Sequence, residues 1–252
     1  MELGLEGKTA LIVGASRGIG RAAAITLAQY GAQITAVARS KDALTSLITG
    51  LGGEAKGHLG IAKDLMPAEG PAEILRQLQE MGRDIDIVIH CLGGTLGVKE
   101  PFCDPEAWRR VFRLNLDIAV ELNRYLIPLM QKRKWGRALH VSSIAATLTR
   151  GSLAYCAAKA ALNAYARNLG CTVASDGVVI SALMPGAVRF DDNPWDKLSK
   201  EKPEQAAAYL EERMAIKRFA KPEEISDFIA FMCSEKAEFA TGAVVPIDGG
   251  SW

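Results

Sequence analysis

Short runs of Val, Ile, Leu and Ala alternate along the chain with longer stretches in which apolar residues recur at helical spacing. This alternation is typical of β-α-β units that build a buried parallel sheet. It predicts strands at 8–13, 33–38, 55–60, 85–90, 137–142, 178–183 and 243–247, and helices at 18–30, 41–50, 68–82, 105–133, 153–174, 204–214 and 222–234. Because parallel crossovers are right-handed, these elements predict one α/β domain over 1–252, a doubly wound seven-stranded parallel sheet with helices on both faces.

One segment interrupts this rhythm. Residues 185–203 follow the sixth predicted strand and open with neither helical spacing nor a short turn. Loops of this length are uncommon in compact domains and usually serve as lids or binding segments. Since α/β sheets bind ligands at the carboxyl ends of their strands, we predict a substrate lid over about 186–218. The alternative is an irregular surface insertion.

Charge and composition narrow the function classes. The 252 residues carry 30 Lys and Arg against 29 Asp and Glu, which leaves no excess of basic charge for a nucleic-acid or membrane surface. The apolar runs are strand-length, and the N-terminus has no basic region followed by an apolar stretch, so we expect a cytoplasmic protein. Five scattered Cys and three His lack metal-ligand spacing, which predicts reduced thiols and no metal site.

A glycine-rich turn follows the first predicted strand. It has the spacing Gly-x-x-x-Gly-x-Gly and contains Gly14, Ser16, Arg17, Gly18, Ile19 and Gly20. Glycines at such a turn let the backbone approach a diphosphate, which the N–H groups of the following helix then bind. The position of the turn in an N-terminal β-α-β unit predicts a dinucleotide site, and the alternative is an ordinary tight turn.

The end of the second predicted strand indicates which dinucleotide binds. An NAD site normally places a carboxylate there for the ribose 2′-hydroxyl, whereas an NADP site offers Arg to the 2′-phosphate. This chain has Arg39 and no acid at that point, and Arg17 supplies a second positive charge. The sequence therefore predicts NADP(H) in preference to NAD(H).

A second group of residues indicates proton transfer. Tyr155 and Lys159 are four residues apart on a predicted helix, so they share one face. A nearby ammonium lowers the pKa of a phenol and makes it a usable general acid or base. Ser142 and Ser143 end the fifth predicted strand, where a hydroxyl can bind the same substrate oxygen. Alone, the Tyr-x-x-x-Lys spacing is common by chance and is usually only a helix surface pair.

Four further groups of residues stand at the ends of predicted strands or in a predicted helix. They are Asp64 and Leu65 after the third strand, Asn115 in the fourth helix, Pro185 and Gly186 after the sixth strand, and Asp248 to Gly250 near the end. With the glycine turn, the serines, Tyr155 and Lys159, this series resembles the short-chain dehydrogenase/reductase family over nearly the whole chain. The resemblance implies a single-domain Rossmann fold and an NADP-dependent oxidoreductase that reduces a ketone or oxidises the corresponding secondary alcohol.

The resemblance also implies residue roles. Tyr155 is expected to protonate the substrate carbonyl, Lys159 to bind the nicotinamide ribose and tune Tyr155, and Asn115 to hold a water molecule linking Lys159 to solvent. Asp64, with Leu65 beside it, is expected to meet the adenine. Gly93 is expected to allow close approach to the cofactor, and Val188, after Pro185 and Gly186, to meet the carboxamide.

Two criteria disagree on the catalytic serine. The family usually uses the second serine of such a pair, just past the strand, which favours Ser143. The family spacing to the tyrosine is more often 13 residues, which favours Ser142. We choose Ser143 for its register and keep Ser142 as the alternative.

The chain departs from the family pattern at the end of the fourth strand. His90, Cys91 and Leu92 stand where the family has Asn-Asn-Ala before its glycine. His90 is predicted to brace the sheet, or alternatively to touch the active-site network. Smaller departures are Val13, Ala187, Arg189 and Phe190.

The substrate is less defined than the reaction. Candidate substrate residues are Thr95, Arg150, Arg189 and Trp195, because basic groups recognise a carboxylate or phosphate and the aromatic ring lies in the predicted lid. The turn and Arg133 resemble the 3-oxoacyl-acyl-carrier-protein reductases of this family, although Asp176 replaces a basic residue there. A catalytically silent dinucleotide-binding or regulatory protein is the alternative of another class. The resemblance implies a small-molecule substrate and a homotetramer or homodimer.

Overall fold

A computed structural model describes residues 2–148 and 151–251 of the chain. Its strands form one parallel sheet in the order β3-β2-β1-β4-β5-β6-β7, which confirms the predicted doubly wound α/β fold. The strands are β1 (Thr9–Val13), β2 (Gln33–Ala38), β3 (Leu59–Ala62), β4 (Ile87–His90), β5 (Gly136–Val141), β6 (Val178–Pro185) and β7 (Val244–Ile247).

Helices cover both faces of this sheet. They are α1 (Gly18–Gln29), α2 (Lys41–Gly50), α3 (Glu69–Glu80), α4 (Pro105–Phe112), α5 (Ile118–Arg133), α6 (Leu153–Val173), α7 (Pro194–Glu201), α8 (Pro203–Arg213) and α9 (Pro222–Met232). Helices α1, α2 and α9 contribute to one core, and α3, α5 and α6 to the other. Alternate strand residues supply the two cores, since Ala10 and Ile12 face the first while Leu11 and Val13 face the second. Among the described residues, none of the helices is both long and apolar enough for a membrane span.

The strand order places a crevice beside β1. The chain leaves β1 towards β2 on one side and later returns to β4 on the other, so the crossovers diverge at this point of the sheet. In open α/β sheets, the carboxyl ends of the strands bind ligands where the order reverses. The fold therefore directs the glycine turn after β1 and the loop after β4 to one edge.

The third strand begins later than predicted. A short 3₁₀ turn, Glu54–Lys56, occupies the start of the predicted strand 55–60, and β3 follows at Leu59–Ala62. Gly57, with a φ of 78°, ends the 3₁₀ turn in a left-handed conformation. The polar residues before this glycine cannot contribute to a buried strand, which explains the shift.

The predicted helix 105–133 is divided by a wider turn. Helices α4 and α5 are joined by a π-helical turn, Arg113–Asp117. Within it, Asn115 Nδ2 donates to the Val111 carbonyl at 2.8 Å. The side-chain amide therefore competes for a carbonyl that would accept a backbone N–H in a regular α-helix. The backbone turn widens from α-helical to π-helical as a result.

The predicted loop 185–203 contains a helix, so its irregular character was wrongly predicted. Helix α7 begins after Asn193, whose side chain accepts a hydrogen bond from the Asp196 N–H, and Pro194 is the first helical residue. An Asn cap followed by Pro is a strong helix start, and the short length of α7 conceals its periodicity in the sequence. Only the segment before Asn193 is irregular.

Gly170 tests the packing of α6 against the sheet. A Cβ atom there would lie 2.6 Å from the Gly242 backbone nitrogen and 2.9 Å from the Ile180 carbonyl oxygen. Because both neighbours are backbone, Gly170→Ala is expected to lower the free energy of unfolding by about 1–3 kcal/mol in urea titrations. Gly50→Ala is the control, since a Cβ atom there meets nothing within 4 Å. Equal losses in both variants would contradict this packing.

Candidate active site

The turn between β1 and α1 brings backbone together more closely than any side chain would permit. Gly14 and Gly18 have φ values of 94° and 56°. A Cβ atom on Gly20 would lie 2.2 Å from the Gly14 carbonyl oxygen. No side chain caps α1 at Arg17. The first N–H groups of the helix and its positive dipole end are therefore suited to an anion.

A cleft of about 420 Å³ opens along the carboxyl ends of β1, β2 and β4. Many predicted cofactor residues line it: Gly14, Ser16, Arg17, Ile19, Gly20, Arg39, Asp64, Leu65 and Gly93. Residues that the sequence did not single out for this role also line it: Lys63, Met66, Cys91, Leu92, Leu96, Leu114, Ile118 and Phe190. In the sequence, only their positions next to the motifs could have indicated that they line the cleft. Most of them are apolar, and apolar side chains are common near strand ends.

Two arginines supply positive charge to this cleft. Arg17 and Arg39 are both exposed and line its wall. Among the ion pairs of residues 2–148 and 151–251, neither arginine takes part. Asp64 Oδ1 accepts the Met66 N–H at 3.0 Å, which fixes its carboxylate beside β3.

Gly93 lets two polar side chains meet at the end of β4. A Cβ atom there would lie 3.0 Å from both Asn115 Oδ1 and Lys159 Nζ. Asn115 is held by Gly94, whose N–H donates to its Oδ1 at 3.1 Å and whose carbonyl accepts from its Nδ2 at 2.9 Å. The π-helical turn thus holds the Asn115 amide beside the same glycine that Lys159 approaches.

Lys159 is almost fully buried, with 1% of its surface exposed. Its Nζ donates to the Val141 carbonyl at 2.8 Å, at the end of β5. Burial lowers the pKa of Lys159 to about 8. The ammonium lies 5.8 Å from the centroid of the Tyr155 ring, as the helical spacing predicts.

The structure distinguishes the two serines. Ser142 is buried, and its hydroxyl donates to the Lys159 carbonyl at 3.3 Å. Ser143 accepts the Ala145 N–H and forms a hydrogen bond with the Tyr155 phenol. Ser143 is therefore the serine beside the tyrosine, and its catalytic role stays a prediction.

The pKa of Tyr155 shifts in the opposite direction to the one predicted. Burial raises the pKa of Tyr155, and the hydrogen bond from Ser143 partly opposes that shift. The predicted lowering by Lys159 is not dominant, because the ammonium is directed to Val141. The phenol is thus kept protonated, which is the form that donates a proton.

The segment after β6 is firmly held. Pro185, Ala187 and Val188 are buried, and a Cβ atom on Gly186 would lie 2.8 Å from the Asp248 Cα. Val188 pairs with Ala220 in an isolated parallel bridge. From this segment Phe190 lines the cleft, whereas Pro185, Gly186 and Val188 do not, so their cofactor contacts stay a prediction.

The predicted substrate residues are not brought together. Thr95 Oγ1 accepts the Gly97 N–H, and Arg189 is exposed. The Trp195 ring packs 4.5 Å from that of Tyr209 and 5.4 Å from that of Phe219, inside the helical segment. Arg150 lies outside the described residues. None of the three described residues lines the cleft, and their substrate roles stay predictions.

His90 belongs to a buried network behind the cleft. The Ser181 carbonyl only accepts, so His140 Nδ1 donates to it and His140 Nε2 accepts from Asn123 Nδ2. Asn123 Oδ1 then accepts from His90 Nε2 at 2.8 Å. The rings of His90 and His140 stack at 4.9 Å. This geometry supports the bracing role predicted for His90.

Residues 14–251 match the family model described as Enoyl-(Acyl carrier protein) reductase, which covers most of the chain. The chain belongs to the short-chain dehydrogenase/reductase family. It is 30% identical to the 3-oxoacyl-[acyl-carrier-protein] reductase FabG of Pseudomonas aeruginosa, over 99% of both proteins. The family resemblance seen in the sequence is thus confirmed, and the chain is an oxidoreductase.

Two solved structures superpose closely on this fold. L-sorbose reductase from Gluconobacter frateurii, complexed with NADPH and L-sorbose, has a TM-score of 0.89 and 32% identity, with 99% of this chain and 98% of that chain covered. A 3-oxoacyl (acyl-carrier-protein) reductase from Agrobacterium tumefaciens C58 with NADP bound has a TM-score of 0.90 and 27% identity, with 99% and 96% covered. Both support the predicted preference for NADP(H).

The buried histidines make stability depend on pH. Burial lowers the pKa of His90 to about 4, and it also lowers the pKa values of His58 and His140. The unfolded chain therefore binds more protons than the folded chain below pH 6.5, so stability is full above pH 6.5 and is lost as the pH falls towards 4. His90 alone is expected to contribute about 2 kcal/mol between pH 7 and pH 5. His90→Asn should flatten this dependence in denaturant titrations, and an unchanged slope would contradict the assignment.

Proposed function

We propose that this oxidoreductase uses NADP(H) to reduce a ketone, or to oxidise the corresponding secondary alcohol, with Tyr155 as the acid/base. The observation that carries the proposal is the cluster of Ser143, Tyr155, Lys159 and Asn115 at the end of a glycine-turn cleft. A protein that only binds a dinucleotide has no need of a proton-transfer pair.

The cleft fits a dinucleotide. Its glycine cradle excludes side chains at Gly14 and Gly20, and the uncapped start of α1 suits a diphosphate. Arg17 and Arg39 would hold the 2′-phosphate, Asp64 the adenine, and Gly93 with Lys159 the nicotinamide end. When bound, NADPH supplies the hydride that the carbonyl carbon requires.

Tyr155 would hold the proton that the carbonyl oxygen receives. Its raised pKa keeps that proton in place at neutral pH, and the Ser143 hydroxyl, which forms a hydrogen bond with the Tyr155 phenol, would also bond the carbonyl oxygen. Lys159 would replace the proton, since its pKa of about 8 lies near physiological pH. Asn115, which is held by hydrogen bonds to Gly94, would position the water molecule that links Lys159 to solvent.

The substrate class has a second candidate. Identity to the FabG relative favours a 3-oxoacyl-acyl-carrier-protein reductase. On this chain, however, Arg133 pairs with Asp84 and donates to the Ile85 carbonyl, while Asp176 pairs with Lys134. These charges are already compensated, which weighs against docking an acidic carrier protein there. An NADPH-oxidation screen over ketones, keto sugars and 3-oxoacyl thioesters separates the candidates, and no turnover of any class would favour a silent binding protein.

We also propose that residues 1–252 act as one cytoplasmic domain, with 186–218 as the lid, in a homotetramer or homodimer. Five free cysteines suit a reducing compartment. Exposed Phe228, Phe231 and Phe239, together with Ala160 and Ala164 on α6, offer apolar surface for contacts between copies.

Tyr155→Phe tests the proton donor. We expect kcat for carbonyl reduction to fall by roughly 10²–10⁴-fold with unchanged NADPH binding, because the ring remains and only the proton is removed. Ser143→Ala should lower kcat by roughly 10²-fold, whereas Ser142→Ala should spare kcat and affect stability instead. Steady-state kinetics measure these effects. Equal rates for wild type and Tyr155→Phe would refute the assignment.

Arg39→Ala tests the cofactor. Loss of a charge that meets the 2′-phosphate should raise KM for NADPH by about tenfold or more and leave KM for NADH nearly unchanged. Arg124→Ala removes an exposed charge of α5 outside the cleft and serves as the control. The same rise in KM for both cofactors would contradict recognition of the 2′-phosphate.

A further inference from the structure

Phe190 is the aromatic side chain in the wall of the cleft. Its ring lies against the glycine turn, since a Cβ atom on Gly18 would be 2.7 Å from its Cζ and 2.8 Å from its Cε1. The Arg17 guanidinium carbon lies 5.9 Å from the ring centroid. The ring therefore contacts two successive residues of the turn, and the cleft stays open beside it.

The backbone that carries Phe190 is held by hydrogen bonds on both sides. The Arg189 N–H donates to the Ala220 carbonyl at 2.9 Å, and the Ala220 N–H donates to the Ala187 carbonyl at 2.9 Å. Asn193 is buried and secures the other side, because its Nδ2 donates to the Val188 carbonyl and its N–H to the Phe190 carbonyl. The ring is thus presented by fixed structure on both sides of residue 190.

The ring of Phe190 is a contact for the Arg17 side chain. Arg17 is exposed, within the described chain it takes part in no ion pair, and its guanidinium lies over the face of the Phe190 ring. A guanidinium within about 6 Å of an aromatic centroid is attracted to the ring, and an ordered arginine loses less entropy when it binds an anion.

We propose that Phe190 is a positioning residue for cofactor selectivity, whose ring holds the Arg17 guanidinium at the mouth of the cleft for the 2′-phosphate of NADP(H). This inference rests on the proposed NADP(H) dependence. Residue 190 would then set the preference between two cofactors from the hydrogen-bonded segment that follows β6.

The test measures nucleotide binding directly. Dissociation constants and release rates of NADPH and NADH are determined by nucleotide fluorescence for wild type, Phe190→Leu, Phe190→Tyr and Arg17→Ala. Phe190→Leu keeps an apolar side chain but removes the ring face, and it should raise the NADPH dissociation constant about three- to tenfold, mainly through faster release, with less effect on NADH. Phe190→Tyr should retain wild-type selectivity.

A double variant identifies the route. If Phe190 acts through Arg17, then Arg17→Ala with Phe190→Leu should bind NADPH no more weakly than Arg17→Ala alone. Arg124→Ala, which removes an exposed charge of α5 outside the cleft, is again the control and should bind as wild type. Circular dichroism melts verify folding of each variant.

The outcomes separate the two proposals. If wild type prefers NADPH and Phe190→Leu keeps that preference, or binds NADPH more tightly, the inference about Phe190 is wrong while the proposed function stands. Additive losses in the double variant would also overturn the route through Arg17. If wild type binds neither nucleotide, or binds both equally, the proposed NADP(H) dependence fails and this inference fails with it.

Discussion

The adjacency of β1 and β4 fixes where this protein can bind a ligand. Crossovers leave these strands in opposite directions, so their carboxyl ends are not covered by a helix. Everything else in the site depends on this gap. The glycine turn faces it from β1, Arg39 follows β2, Gly93 follows β4 and Ser143 follows β5. Residues that are distant in the chain therefore converge without any dedicated substrate domain.

Polar side chains are buried here at a cost that specific partners offset. An unpaired ammonium in the interior would be strongly destabilising, and Lys159 is tolerated because the Val141 carbonyl accepts its hydrogen bond. Its lowered pKa is the remaining sign of the desolvation cost. Asn115 is similarly satisfied by Gly94 and Val111, at the expense of regular helix geometry. The irregular helix at Asn115 and the desolvation of Lys159 are thus both costs of holding these two polar side chains in place.

The sequence predicted the doubly wound sheet and the grouping of Tyr155 with Lys159 because both depend on local patterns. Hydrophobic periodicity placed most elements, and motif position joined Tyr155 to Lys159. It did not predict the π-helical turn, since that turn depends on which carbonyl the Asn115 amide reaches, nor α7, since eight residues show too little periodicity. The direction of the Tyr155 pKa shift also needed the structure, because burial outweighs the neighbouring charge. The role of Phe190 could not be predicted from the sequence, because its ring lies against Gly18, which is more than 170 residues away in the chain.

The network of His90, Asn123 and His140 has a consequence for assembly of the sheet. His90 and His140 are direct partners in the pairing of β4 with β5. Their stacked rings and the shared Asn123 amide are possible only in this alignment, because a shift of one residue would turn one imidazole to the opposite face. Apolar strands such as these tolerate sliding, whereas a misaligned pair of buried imidazoles would lose every hydrogen-bond partner. His90, which stands where the family has an asparagine, and its strand partner His140 therefore fix the register of β4 against β5, and with it the position of Gly93 relative to the end of β5.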